Sequence, residues 1–79
     1  MIEKFFEGIE KCESIEEQEM FCNKFVFNNT KDEESCIKLL KEILTDERVN
    51  FYIDLAITIA TMEDNLYELG FDDFIFYLM

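Results

Sequence analysis

Carboxylates are the one reactive group this chain holds in quantity. Nineteen Asp and Glu stand against seven Lys and Arg, a formal charge of -12 at pH 7, with no His at all. Adjacent pairs such as Asp72 and Asp73, or Glu63 and Asp64, could divide acid and base work between them. Sequence neighbours need not converge on one substrate, however, and no nucleophile and base accompany them. No catalytic residue is expected, and the chain reads as a non-enzyme. Calcium suits carboxylates, yet no alternating run of oxygen ligands closed by Gly occurs. With no His, no Pro and two Gly, His-ligated metal sites and Gly-rich phosphate loops lack their building blocks. Cys12, Cys22 and Cys36 lie 10 and 14 residues apart, which fits neither a C-x-x-C pair nor a paired disulfide framework. Each sits among apolar neighbours, where a free Cys acts as a small buried hydrophobe. The three are read as core thiols in a reducing compartment, and no cofactor or metal is expected.

What the carboxylates can do together is bind. Residues 49–79 hold six acids and no base, residues 1–20 seven acids and two bases, and residues 21–48 six acids and five bases. The middle stretch reads as an ordinary solvated face, with Glu34, Lys38 and Glu42 in weak support at i, i+4 spacing. In the last third, Asp64 and Glu68 form a like-charge i, i+4 pair that helix stability does not explain. Glu3, Glu7 and Glu10 fall on one stripe of the first helix, with neighbouring Cβ atoms roughly 5–6 Å apart, and a row at that pitch can imitate a phosphate strand. Glu16, Glu17, Asp32, Glu33, Asp46, Glu47, Glu63 and Asp64 are all explicable as first-turn acids that meet the helix dipole, so structural causes cover nearly half the carboxylates. The collective excess on the first helix and in the last third still makes Glu3, Glu7, Glu10, Glu63, Asp64, Glu68, Asp72 and Asp73 the candidate partner-binding set, with Tyr67 and Tyr77 as amphipathic anchors beside them. So negative a body repels nucleic acid and anionic lipid, which leaves a protein with a basic surface as the expected partner.

Helices must position these groups. The chain is long enough for one domain, residues 1–79, and 49% hydrophobic residues supply its core. Ser14, Thr30, Thr45 and Thr61 recur at intervals of 16, 15 and 16 residues, each followed by acids, and read as helix N-caps. They predict five short helices at about 2–12, 15–28, 31–44, 46–60 and 62–69, with Gly70 as a stop and a last apolar turn or two from Asp72. Ile2, Phe5, Phe6, Ile9 and Cys12 make one apolar stripe, and Cys36, Ile37, Leu40, Ile43 and Leu44 another. Residues 49–61 are double-natured. Val49, Phe51, Ile53, Leu55, Ile57 and Ile59 alternate like a strand, while Val49, Tyr52, Ile53, Ala56, Ile57 and Ala60 share a helical face. Thirteen residues are long for a strand, so a central helix buried nearly all round is expected. The alternative is an α+β fold with residues 49–61 as a strand beside residues 25–27 or 74–76. Short connections favour a compact all-α bundle of about five antiparallel helices. Met20 and Phe27 lie off the best face of the second helix. The apolar run 74–79 must dock, on its own core or on a partner.

Charge, size and absent chemistry together predict a small inhibitor that occludes the basic nucleic-acid-binding surface of another protein, a nuclease for example. In general character the chain resembles phage-encoded anti-CRISPR and anti-restriction inhibitors, a functional class of unrelated folds. No motif ties it to one of them. A composition rich in Ile, Lys, Asn, Phe and Glu hints at an AT-rich bacterial or phage genome. The alternative is a helical adaptor or homodimeric regulatory subunit that binds through an apolar patch. Glu3, Lys4, Glu7 and Glu10 interrupt any signal-peptide core, and the longest uncharged run, 55–62, is too short to span a bilayer, so a cytoplasmic protein without membrane contact is expected.

Overall fold

Each connection in this chain is made by a few identifiable residues. In the computed structural model, which describes residues 1–79, α1 spans Ile2–Lys11, α2 Ile15–Asn29 and α3 Glu33–Thr45; a short 3-10 helix follows at Glu47–Phe51, then α4 at Ile53–Leu69 and α5 at Phe71–Leu78. Ser14 caps α2 as its type predicts, accepting the Glu17 N–H at 3.1 Å. The Glu17 carboxylate reaches back one residue beyond the cap and accepts the Glu13 N–H at 2.6 Å.

Two of the other three predicted caps move by one or two residues, and the third is absent. Asp32, not Thr30, caps α3: its carboxylate accepts the Ser35 N–H at 2.8 Å, while the Ser35 hydroxyl accepts the Asp32 N–H at 3.2 Å. Thr30 instead donates to the Val26 carbonyl and closes α2, and Thr45 donates to the Lys41 carbonyl in the last turn of α3. Asp46 starts the 3-10 helix by accepting the Arg48 N–H at 2.9 Å. Thr61 caps nothing. The helices expected at 46–60 and 62–69 are replaced by the 3-10 turn and by one unbroken α4, because Leu55, Ile59, Met62 and Leu66 carry a buried stripe across Thr61 and no Gly or Pro interrupts it. The real break comes at Gly70, whose φ of 80° and ψ of 164° suit a residue without a Cβ, and the expected last turn becomes the eight-residue α5.

The architecture is an all-α bundle, and no strand forms from residues 49–61, 25–27 or 74–76. α2 packs against α1, α3, α4 and α5, and α4 packs in addition against α3 and α5. Sixteen buried side chains form one core, every one of them apolar. Phe5, Phe6 and Ile9 come from α1, Cys36, Leu39, Leu40 and Ile43 from α3, and Phe74 and Leu78 from α5. Ile2 and Cys12 at the ends of the first expected stripe, and Ile37 and Leu44 of the second, are half-buried rather than central. Phe5 stands within 5.2–5.8 Å, centroid to centroid, of Phe6, Phe21 and Phe25. Gly8 permits this close approach of α1 and α2, since the Phe21 ring fills the space a Cβ there would need. Cys22 and Cys36 are buried free thiols, their pKa values pushed up by burial to about 12 and about 11.

Periodicity alone does not decide which face of α4 is covered. α4 is not buried all round: Leu55 and Ile59 face the core, while Ile53 and Ile57 are exposed, and so is Phe51 just before the helix. The apolar set that continues inward beyond residue 61 is the buried one, because only it meets α2, α3 and α5 along the whole length of the helix.

Candidate functional site

Arg48 shows what a satisfied carboxylate looks like in this protein. Its guanidinium donates from Nη1 to Glu3 Oε2 at 2.8 Å and from Nη2 to Glu3 Oε1 at 3.2 Å. It also donates from Nε to Asp46 Oδ1 at 2.9 Å and from Nη2 to Asp46 Oδ2 at 2.8 Å, and it lies 4.6 Å from the centroid of the Phe6 ring. The fork geometry joins α1 to the 3-10 turn across 45 residues of sequence. Hydrogen bonding to Arg48 holds the Asp46 carboxyl down at about 2 and lowers that of Glu3, and both carboxylates raise the Arg48 pKa in return. Glu3 is thus occupied by the chain's own cation.

The remaining candidates have no such partner. The only ion pairs in the protein are those of Arg48, so the expected support among Glu34, Lys38 and Glu42 does not take the form of salt bridges. Glu7 and Glu10 lie exposed on α1. Asp64 and Glu68 are exposed on α4, one turn apart, with Tyr67 between them, and Asp72 and Asp73 are exposed in the first turn of α5. Glu63 is half-buried, and its Oε2 is enclosed without a hydrogen-bond partner. Tyr77 is exposed on α5. The ten candidates thus divide into a short row on α1 and a larger group on α4 and α5.

Tertiary structure adds residues that sequence reasoning passed over. Ile53, Ile57, Thr61, Asp64 and Glu68 follow at i, i+4, i+8, i+11 and i+15 and are all exposed, so the outer stripe of α4 is apolar in its first half and acidic in its second. At 1.5 Å per residue this stripe runs for about 22 Å. Phe51, Phe76 and Met79 add further exposed apolar surface from residues 49–79. Along one flank of α4, a groove of about 240 Å³ opens between α2, α4 and α5. Glu19 and Asn23 reach it from α2, Ile57, Thr58, Thr61, Met62 and Asn65 from α4, and Tyr77 from α5. Extending the helical window past Thr61 would have exposed the Leu55–Ile59–Met62–Leu66 stripe and, by subtraction, the outer face. The groove had no signal in sequence, since it depends on how three helices meet.

Chemically, the surface offers oxygen acceptors and apolar contact, with no cation among residues 49–79. No group of three or more Cys, Asp and Glu side chains gathers as metal ligands, and no helix is long and apolar enough to cross a membrane. Comparison with family models, with curated proteins and with solved structures yields no match.

Proposed function

We propose that this protein is a protein-binding inhibitor that covers the basic nucleic-acid-binding surface of its target, with the carboxylates of α4 and α5 taking the place of phosphates. One observation carries the reading: residues 49–79 hold six acids and no base, five of those acids are exposed, and none is paired within the chain. Unpaired charge of one sign raises the free energy of the folded chain by self-repulsion, and a basic partner relieves it. Long-range attraction steers such an encounter, and salt weakens it. A nuclease or another cytosolic nucleic-acid-binding protein has the complementary surface, as do the targets of anti-CRISPR and anti-restriction inhibitors.

The test is capture of partners from bacterial lysate by the purified protein, beside a variant carrying Asp64→Asn, Glu68→Gln, Asp72→Asn and Asp73→Asn, followed by competition. The reading predicts a nucleic-acid-binding protein that moderate salt releases, that the variant fails to hold, and whose DNA or RNA the wild-type chain displaces. A partner indifferent to salt and to the four substitutions would sink it. A second reading, an adaptor or homodimer that binds through apolar contact, draws support from the exposure of Phe51, Ile53, Ile57, Phe76 and Met79. That reading predicts a complex that survives salt and is lost on Ile53→Ser with Ile57→Ser.

A further inference from the structure

We infer that the groove between α2, α4 and α5 receives an arginine side chain of the basic partner. The inference rests on the reading that the partner is basic, and it specifies where and how one of its cations is held. The lining decides the chemistry. Glu19 supplies a carboxylate, Asn23 and Asn65 supply amide oxygens, Thr58 and Thr61 supply hydroxyls, and Tyr77 supplies a ring. No Lys or Arg lines the groove, so no positive charge there offsets an anion and the Glu19 carboxylate repels one. Ile57 and Met62 offer apolar contact suited to the methylene stem of a long basic side chain.

The chain itself makes no use of these polar groups. None of the six polar side chains takes part in a hydrogen bond within the chain, whereas Asn29, Thr30 and Thr45 each donate to the carbonyl four residues back. Acceptors drawn from three helices suit a planar guanidinium with five donors better than an ammonium with three, and an aromatic face favours the same group. A second copy of this chain cannot readily provide it. Its one arginine, Arg48, is already shared between Glu3 and Asp46.

The experiment is a two-dimensional NMR titration of the isotopically labelled full chain with N-acetyl-arginine methylamide at constant ionic strength, with the lysine and citrulline analogues beside it. The expected result is saturable shifts of the Asn23 and Asn65 side-chain amides with the arginine probe. Binding should be about tenfold weaker in Glu19→Gln, as loss of a charged hydrogen-bond partner predicts, and weaker again with Tyr77→Leu added. Citrulline, which has the shape without the charge, should leave both amides unmoved. Both substitutions are at groove-lining positions outside the buried core, and retention of the backbone amide pattern confirms that the variants fold.

Three results would overturn the assignment: shifts spread over all carboxylates without saturation, an equal response to the lysine probe, or saturable binding that Glu19→Gln leaves intact. Failure here is separable from failure of the proposed function. A salt-sensitive, DNA-displacing complex that ignores Glu19→Gln would keep the inhibitor and discard the groove, whereas a salt-indifferent apolar partner would discard the inhibitor and leave the titration to stand on its own.

Discussion

In residues 1–48, polar groups close helices and join elements: Ser14 caps α2, Asp32 and Ser35 cap α3, and Arg48 ties Glu3 to Asp46. In residues 49–79, neither α4 nor α5 has a side-chain cap, no carboxylate has an ion-pair partner, and Ile53, Ile57, Phe76 and Met79 face solvent beside the acids. The two regions share one core but differ in what they leave over. Residues 1–48 also leave Glu7, Glu10 and Glu19 unpaired and Ile15 and Met20 exposed, but all seven bases of the chain lie among them, whereas α4 and α5 carry charge of one sign beside exposed apolar area. On the proposed reading, this one-signed surface is where a basic partner would be met.

The largest test of the contrast sets aromatic residues of the two regions against each other. Phe5, fully buried among Phe6, Phe21 and Phe25, should lose about 3–5 kcal/mol of stability on Phe5→Ala. Phe76, 76% exposed, should change stability by less than about 0.5 kcal/mol on Phe76→Ala. Chemical denaturation of the two variants checks both. A large loss for Phe76→Ala would mean that this surface is part of the core.

Next in size is the hinge between α4 and α5. Gly70 has φ 80° and ψ 164° with nothing within 4 Å of where a Cβ would stand, so Gly70→Ala tests backbone conformation without a steric clash. A loss of about 1–3 kcal/mol is expected in denaturant unfolding. A neutral result would mean that α5 docks by another turn, and would remove Asp72, Asp73 and Tyr77 from their present places.

Capping supplies a smaller pair. Asp32→Ala should cost about 1 kcal/mol by leaving the Ser35 N–H without its acceptor. Thr61→Ala, inside α4, should be neutral or stabilising by a few tenths of a kcal/mol, since Ala is the better helix former. Reversal of that order in thermal unfolding would restore Thr61 as a cap and divide α4.

The smallest effect is electrostatic and lies on the acid limb. The folded Asp46 carboxyl, at about 2, lies below its ordinary value of 3.8, and that of Glu3 is also lowered. A lowered carboxyl value stabilises the fold above the unfolded value and loses that contribution as pH falls through the folded one. The Asp46 contribution should therefore be in place above about pH 3.8 and fade toward about pH 2. Arg48→Met should flatten this part of the melting-temperature profile, because it removes the guanidinium that lowers both groups. An unchanged acid limb would show that the clamp between the first helix and the 3-10 turn adds nothing in solution.

The amino-acid sequence determined the helical class, the positions of α1 and α2 to within a residue, the Ser14 cap and the absence of base from residues 49–79. Each of these depends on composition or on contacts within a few residues, as do the buried Phe5, Phe6 and Ile9 on one local stripe. The sequence does not place caps at Thr30, Thr45 and Thr61, because a hydroxyl followed by acids suits the end of one helix, or its interior, as well as the start of the next. Neighbouring Asp32 and Asp46 were free to take the cap. Tertiary structure alone decided which side of α4 is covered, since its apolar residues lie on both sides and only contact with α2, α3 and α5 selects Leu55, Ile59, Met62 and Leu66. It alone joined Arg48 to Glu3, a pairing 45 residues apart that no local pattern records. The groove of Glu19, Asn23, Asn65 and Tyr77 has the same origin, because side chains from three helices meet only after the core has set the distances between those helices.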